Sequence, residues 1–140
     1  GHWEHALSLL DEMHASHVAP DIITLSAAAS ACEKGQQWDY ALSLLHEMFR
    51  RSVSPNVLIF NAVISACEKS GKWREMWDIR HEMRQASLTP DVITFSAAIS
   101  TCGNGLQWSR ALKLLDEMHA AGVTPNVISY SAVITACERC

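Results

Sequence analysis

Residues 55–73 read PNVLIFNAVISACEKSGKW. The same frame stands at 20–38 as PDIITLSAAASACEKGQQW and at 90–108 as PDVITFSAAISTCGNGLQW. Taken alone, the first stretch admits three chemistries. Asn61 and Cys67 suggest a nucleophile and its helper, or a metal ligand beside a Gly71-Lys72 anion loop. The third option is one unit of something repeated, with Asn61 as its working end.

The spacing decides in favour of repetition. Prolines fall at Pro20, Pro55, Pro90 and Pro125, each 35 residues after the last. Cys32, Cys67, Cys102 and Cys137 keep that interval, as do Trp3, Trp38, Trp73 and Trp108, and Met13, Met48, Met83 and Met118. Segments 22–56 and 92–126 share 19 of 35 positions. A fixed period of this length is the mark of stacked supersecondary units. The chain therefore divides into one array. Residues 1–21 form a partial unit (a second helix), 22–56, 57–91 and 92–126 are complete units, and 127–140 form a partial unit (a first helix).

Each unit carries two helical patterns. Phe60, Val63, Ile64 and Cys67 follow i, i+3, i+4, i+7, one apolar helix face, with Ala62 and Ala66 keeping its flanks small. Trp38, Ala41, Leu42, Leu45 and Met48 make the stripe of a second helix. Gly35 or Ser70-Gly71 is expected to break the pair through left-handed geometry. Proline stops the second helix, and the Asp or Asn after it caps the next. Helices are expected over roughly 2–17, 22–34, 37–51, 57–69, 72–86, 92–102, 107–121 and 127–139. Units of this kind bury their apolar faces only by stacking, so the fold class is all-α, an α-solenoid. The array is expected to be an excerpt of a longer one.

Composition narrows the function. Of the 140 residues 49% are apolar and 19% charged, which suits a packed chain and excludes a disordered one. The apolar runs are shorter than a membrane span, and no signal-like segment opens the sequence. A net charge of −4 argues against a partner held by bulk phosphate electrostatics, although a local basic stripe remains compatible. The five cysteines, without a secretory signal, point to reduced thiols.

A ladder does not converge. Zinc needs about four ligands on one point, and a nucleophile needs a base in reach. Helices stacked ~8–10 Å apart also exceed the ~7 Å Cα limit of a disulfide. Cys67 and its equivalents are read as small packing residues, while Cys140 breaks the period and is expected to be an exposed, oxidisable thiol. His2, His5, His14 and His17 form i, i+3 pairs, yet His14 aligns with Phe49, Arg84 and His119, the pattern of a tolerant surface. Gly71-Lys72 aligns with Gln36-Gln37 and Leu106-Gln107 and is a turn. No enzyme activity, metal or cofactor is expected.

What packing leaves unexplained is polar and periodic. Asn61, Ser65, Glu68 and Lys72 share one face of the first helix, expected to lie opposite the apolar stripe and away from the stack. Ser26, Ser30, Glu33 and Gln37 occupy the same places, as do Ser96, Ser100, Gly103 and Gln107, then Ser131, Thr135 and Glu138. One turn earlier stands an aliphatic residue: Ile23, Leu58, Ile93 or Ile128. On the residues alone two readings stay open. The row is a solvated face, or it clamps flat rings and reads them at one edge.

The segments 56–73, 91–100 and 111–126 resemble pentatricopeptide repeats, and the resemblance runs the length of the chain. The period of 35 with Pro before Asp or Asn separates it from the peptide-binding tetratricopeptide repeats, whose period is 34. It implies a right-handed solenoid that binds single-stranded RNA, one base per unit, in an organelle, mitochondrion or plastid. The family's code uses the fifth and last residues of a unit. That gives Ser26 with Asn56, Asn61 with Asp91, and Ser96 with Asn126, implying 5′-AUA-3′. Asp21 extends the site by U or G, and Ser131 by a purine. Ile23, Leu58, Ile93 and Ile128 would sandwich the bases. Lys34 and Lys69 match a backbone-contacting lysine, and Arg139 would substitute there, whereas Gly103-Asn104 departs from it. Unit two also departs on its second helix, at Met76-Trp77 and Ile79-Arg80. A scaffold holding a peptide is the competing class, and self-association end to end is a further expectation.

Overall fold

The computed structural model describes residues 2–139. Among them are eight α-helices and no strand: α1 (His2–Ala15), α2 (Ile22–Lys34), α3 (Trp38–Arg50), α4 (Val57–Lys69), α5 (Trp73–Gln85), α6 (Val92–Asn104), α7 (Trp108–Ala120) and α8 (Val127–Glu138). Helices α2, α4, α6 and α8 stack side by side in one layer. Helices α2, α4 and α6 are each backed by the second helix that follows, and α1, α3, α5 and α7 make no close backbone contact with one another.

Side-chain size explains the two layers. Small residues face the gaps between the first helices, Ala27 and Ala62 at one, Ala97 at the next and Ala132 at the third, which lets their backbones approach. Gly103 goes further: a Cβ there would lie 3.1 Å from the carbonyl oxygen of Ala132 on α8. This packing carries α6 through Asn104, two residues beyond the expected end. The second helices are held apart by long side chains. His14 Nε2 stands 3.1 Å from Glu47, His46 Nε2 3.3 Å from Glu82, and Arg80 and Arg84 both reach Glu117, at 2.6 and 2.8 Å. A stack that is tight on one side and wide on the other curves, with the first helices inside.

The core runs between the layers. Leu25, Phe60 and Phe95 from the first helices pack with Met48, Met83 and Met118 from the second, and all are buried. Cys32, Cys67 and Cys102 are buried rungs, and burial pushes their thiols up to about 11, 12 and 11. They are therefore inert as nucleophiles at neutral pH. Cys137, expected to match them, is exposed: among the described residues α8 is packed by α7 and α6 but by no second helix of its own unit. Cys140 lies outside those residues. In unit two Arg80 replaces the leucine of its neighbours and is still 2% exposed, sandwiched by Phe95 at 5.3 Å and Trp77 at 5.6 Å.

The turns correct one expectation. Gly35 and Gly105 are not left-handed, with φ of −80° and −83°. The left-handed residues are the next ones: Gln36, Leu106 and, in unit two, Gly71. Gly35 and Gly105 are needed for another reason, since any Cβ there would overlap the rings of Trp3 and Trp73. The second helices end alike, with His17, Ser52, Ser87 and Gly122 at φ of 56°, 57°, 58° and 72°. In each case the following N–H returns to a carbonyl five residues back, as Leu88 to Met83 at 3.1 Å, a Schellman closure.

Glycine alone adopts that conformation without a Cβ penalty. Ser87→Gly should therefore stabilise the chain by up to about 1 kcal/mol, and Gly122→Ser should destabilise it similarly. Thermal melts followed by circular dichroism check this. Unchanged or reversed midpoints would count against it.

Candidate nucleic-acid interface

The inner layer places the periodic polar residues. Asp21, Asn56, Asp91 and Asn126 each have extended backbone and cap the helix that follows. Their side-chain oxygens accept the N–H of Thr24 at 2.9 Å, Ile59 at 3.1 Å, Thr94 at 2.9 Å and Ser129 at 3.0 Å. Asp91, bonded to Asn61 on α4, and Asn126, which lines a groove with residues of α6, thus sit at the mouth of the gap between their own first helix and the preceding one.

Shallow grooves follow these gaps. One is lined by Ser26, Ser30 and Glu33 on one side and Leu58, Asn61 and Ser65 on the other. The next brings Ser65 and Glu68 to Ile93, Ser96, Ser100 and Asn126. A third, of about 400 Å³, holds Ser100, Gly103, Ile128, Ser131 and Thr135. Leu58, Ile93 and Ile128 line them and are 70, 55 and 60% exposed, and Ile23, at the same place on α2, is 74% exposed. Four large aliphatic side chains left in water at a fixed period is a costly arrangement for a purely structural face.

Asn61 and Ser96 do not lie on a face turned away from the stack, as their helical position suggested. Both are 7% exposed. An interior first helix is packed on both flanks as well as on its back, so only a narrow strip stays open. Ser26 is half-buried, while Ser131 and Asp21 are exposed.

The three fifth-position residues have different surroundings. Asn61 Nδ2 donates to both oxygens of Asp91 at 3.2 Å, and the Thr94 hydroxyl donates to Asn61 Oδ1 at 2.5 Å. Ser96 Oγ lies 3.0 Å from Ser129 Oγ. Ser26 Oγ is buried without a hydrogen-bond partner. Burial alone would raise the Asp91 carboxyl, but the bonds from Thr94 and Asn61 outweigh it and hold the group below the usual carboxylate range. Asp91 is thus an acceptor only, which fixes Asn61 with its amide nitrogen inward. Sequence reasoning missed Thr94 and Ser129. The available signal was a hydroxyl three residues after a cap, the place from which it can return a bond to the cap's own N–H. Asp91 N donates to Thr94 Oγ1 at 3.2 Å in this way.

The cations are unequal. Lys69 is paired across units with Glu33 at 2.9 Å. Lys34 is exposed, as is Arg139 just beyond α8. Among the described residues no group of His, Cys, Asp or Glu is placed to hold a metal ion, and no helix is long and apolar enough to cross a membrane.

With that geometry in place, comparison with known proteins is decisive. Models of the PPR repeat match residues 23–53, of the PPR repeat family 55–104, and of the pentatricopeptide repeat domain 107–139. The chain belongs to the pentatricopeptide repeat family. Among solved structures it is similar to the pentatricopeptide repeat protein PPR10 from maize, at 31% identity and a TM-score of 0.73. It is also similar to PPR10 in complex with an 18-nt psaJ RNA element, at 26% identity and 0.82. It spans 98% of its own length but about a fifth of PPR10 in both. The PPR domain of Arabidopsis thaliana protein-only RNase P 1, in complex with tRNA, shares the fold at 15% identity and a TM-score of 0.86, with 72% of that chain covered. No curated protein sequence matches the chain.

Glu68 lines two of the grooves. Burial raises its pKa above the ordinary value, with Glu33 adding to the rise and Ser100 and Lys69 opposing it. A carboxyl raised in the folded state penalises folding when ionised, and the penalty disappears as pH falls through the raised value. Glu68→Gln should raise the melting midpoint at pH 7 and flatten its change between pH 7 and the ordinary glutamate range near ~4.3. An unchanged pH profile would contradict this.

Proposed function

We propose that the chain binds single-stranded RNA along the inner layer, one base per unit, without catalysing a reaction. The observation that carries this is the alternation along the grooves. Exposed Leu58, Ile93 and Ile128 stand at the rims, with Ser26, Asn61 and Ser96 at the floors, and Ile23 is equally exposed at the matching place on α2. Aliphatic walls spaced by a helix diameter suit flat rings, and short hydrogen-bonding side chains suit their edges. The likeness to RNA-bound PPR10 supports the same partner here. A peptide groove would call for pockets of varied shape, whereas these floors are nearly uniform.

In this reading Ser26 with Asn56 takes adenine, Asn61 with Asp91 uracil, and Ser96 with Asn126 adenine, giving 5′-AUA-3′. The Asn61 amide, fixed by Asp91, keeps one N–H and one lone pair that match a carbonyl and the N3–H of uracil. Asp21 and Ser131 extend the site by U or G before the core and by a purine after it. Lys34, Lys69 and Arg139 meet the backbone, Lys69 after leaving Glu33. Few cations and a net charge of −4 imply weak binding with a shallow salt dependence. Stacking contributes ~1–3 kcal/mol per base, offset by the cost of ordering the strand. Membership of the family supports a role in organellar RNA processing, stability or translation.

Titration of short RNAs containing AUA against scrambled and DNA controls at low salt tests the proposal. A preference for AUA is expected, and equal binding of all strands would sink it. Asn61→Ser with Asp91→Asn should move the middle preference from U towards A. An unchanged preference would reject the pairing.

The proposal extends to self-association. Val127, Ile134 and Tyr130 on α8 are 81, 67 and 47% exposed, beside Trp108 at 47% on α7. Burying that face end to end against another copy is favourable. Light scattering should give a mass that rises with concentration, and a constant monomer mass would rule it out.

A further inference from the structure

Two of the three reading sites carry the same pair, Ser26 with Asn56 and Ser96 with Asn126. Their surroundings are not the same. The difference lies in the third residue of the following unit: Thr94 at the second site and Ser129 at the third bond the fifth-position side chain, and the residue at that place for the first site is Ile59.

Three polar contacts meet at the Ser129 hydroxyl of the third site. Ser129 Oγ lies 3.0 Å from Asn126 Oδ1, to which it donates, and it accepts the Asn126 N–H at 3.5 Å. A hydroxyl has one proton. The 3.0 Å contact with Ser96 alone permits either direction, and the arrangement that keeps both this bond and the one to Asn126 has Ser96 donating. The proton order runs Ser96 to Ser129 to Asn126. Ser96 then faces the groove as an acceptor only. At the first site Ile59 is fully buried and has no hydroxyl, and Ser26 Oγ is left without a partner. That hydroxyl is free to turn and to donate or accept. At the second site the Thr94 hydroxyl stands between two acceptors, Asp91 Oδ1 at 2.9 Å and Asn61 Oδ1 at 2.5 Å, and its one proton goes to the nearer, Asn61, which has no other donor there.

We infer that the third residue of the following unit is a further specificity-determining position. Through its hydroxyl, or the lack of one, it fixes which hydrogen-bonding sense the fifth residue presents to the base. This rests on the base-reading proposal above. It makes the two Ser/Asn sites unequal. Ser96 requires a donor on the base, which in adenine is the exocyclic amino group. Ser26 tolerates its loss by donating to a ring nitrogen instead.

The test replaces one adenosine of AUA by purine riboside, which lacks that amino group. Replacement of the 3′ adenosine, facing Ser96, should weaken binding roughly three- to tenfold, the range of one hydrogen bond. Replacement of the 5′ adenosine, facing Ser26, should cost no more than about twofold. Ser129→Ala should bring the 3′ ratio down to the 5′ value, Ser129→Thr should keep it, and Ile59→Ser should raise the 5′ ratio. Circular dichroism confirms that each variant is folded, and Ser129→Thr carries the comparison with Ile59→Ser if the alanine variant is not. Equal ratios at the two sites, or a 3′ ratio indifferent to Ser129→Ala, would overturn the inference while leaving base reading intact. Absence of any preference for AUA would instead remove base reading, and this inference with it.

Discussion

Everything on the inner surface depends on the close approach of the first helices. Alanines at the α2–α4–α6 contacts, and Gly103 under α8, bring backbones together where leucines would hold them apart. Close approach makes the inter-unit gaps narrow and buries Asn61 and Ser96 at their floors. It also leaves nowhere for Leu58, Ile93 and Ile128 except the rims. The outer layer obeys the opposite rule. Its helices are bridged by Arg, Glu and His side chains rather than by backbone contact, so a stack with one short side and one long side curves.

Unit two shows how much variation the outer layer absorbs. Arg80 occupies an aliphatic position, but its charge is answered by Glu117, which also holds Arg84, and its plane lies near Phe95 and Trp77. For Glu117, burial works to raise the carboxyl, and the bond and charge of Arg80 with Arg84 reverse it. A buried pair of this sort contributes more to register between neighbours than to net stability. None of these changes reaches the grooves.

Much of this was legible in the sequence because repetition multiplies weak signals. One proline before one Asp or Asn says little; four at a constant interval define the period and the helix ends. The candidate row was legible for the same reason. What was not legible arises between units. Burial of Asn61 follows from having neighbours on both flanks, which helical periodicity within one unit does not encode. The Trp3–Gly35 and Trp73–Gly105 contacts join residues 32 apart, out of step with the repeat, and so the glycines looked like turn formers. The Ser96–Ser129 contact crosses a unit boundary in the same way.

The cap residues carry a consequence for how such a chain changes over time. Asp and Asn are nearly equal as helix caps, so exchanging one for the other at 21, 56, 91 or 126 leaves the start of the helix intact. The same exchange swaps a pure acceptor for a group with two donors at the groove mouth. Vocabulary at these positions is thus drawn from residues the fold already accepts, and a change of meaning carries almost no structural penalty. Drift in recognition is decoupled from drift in stability, one position at a time.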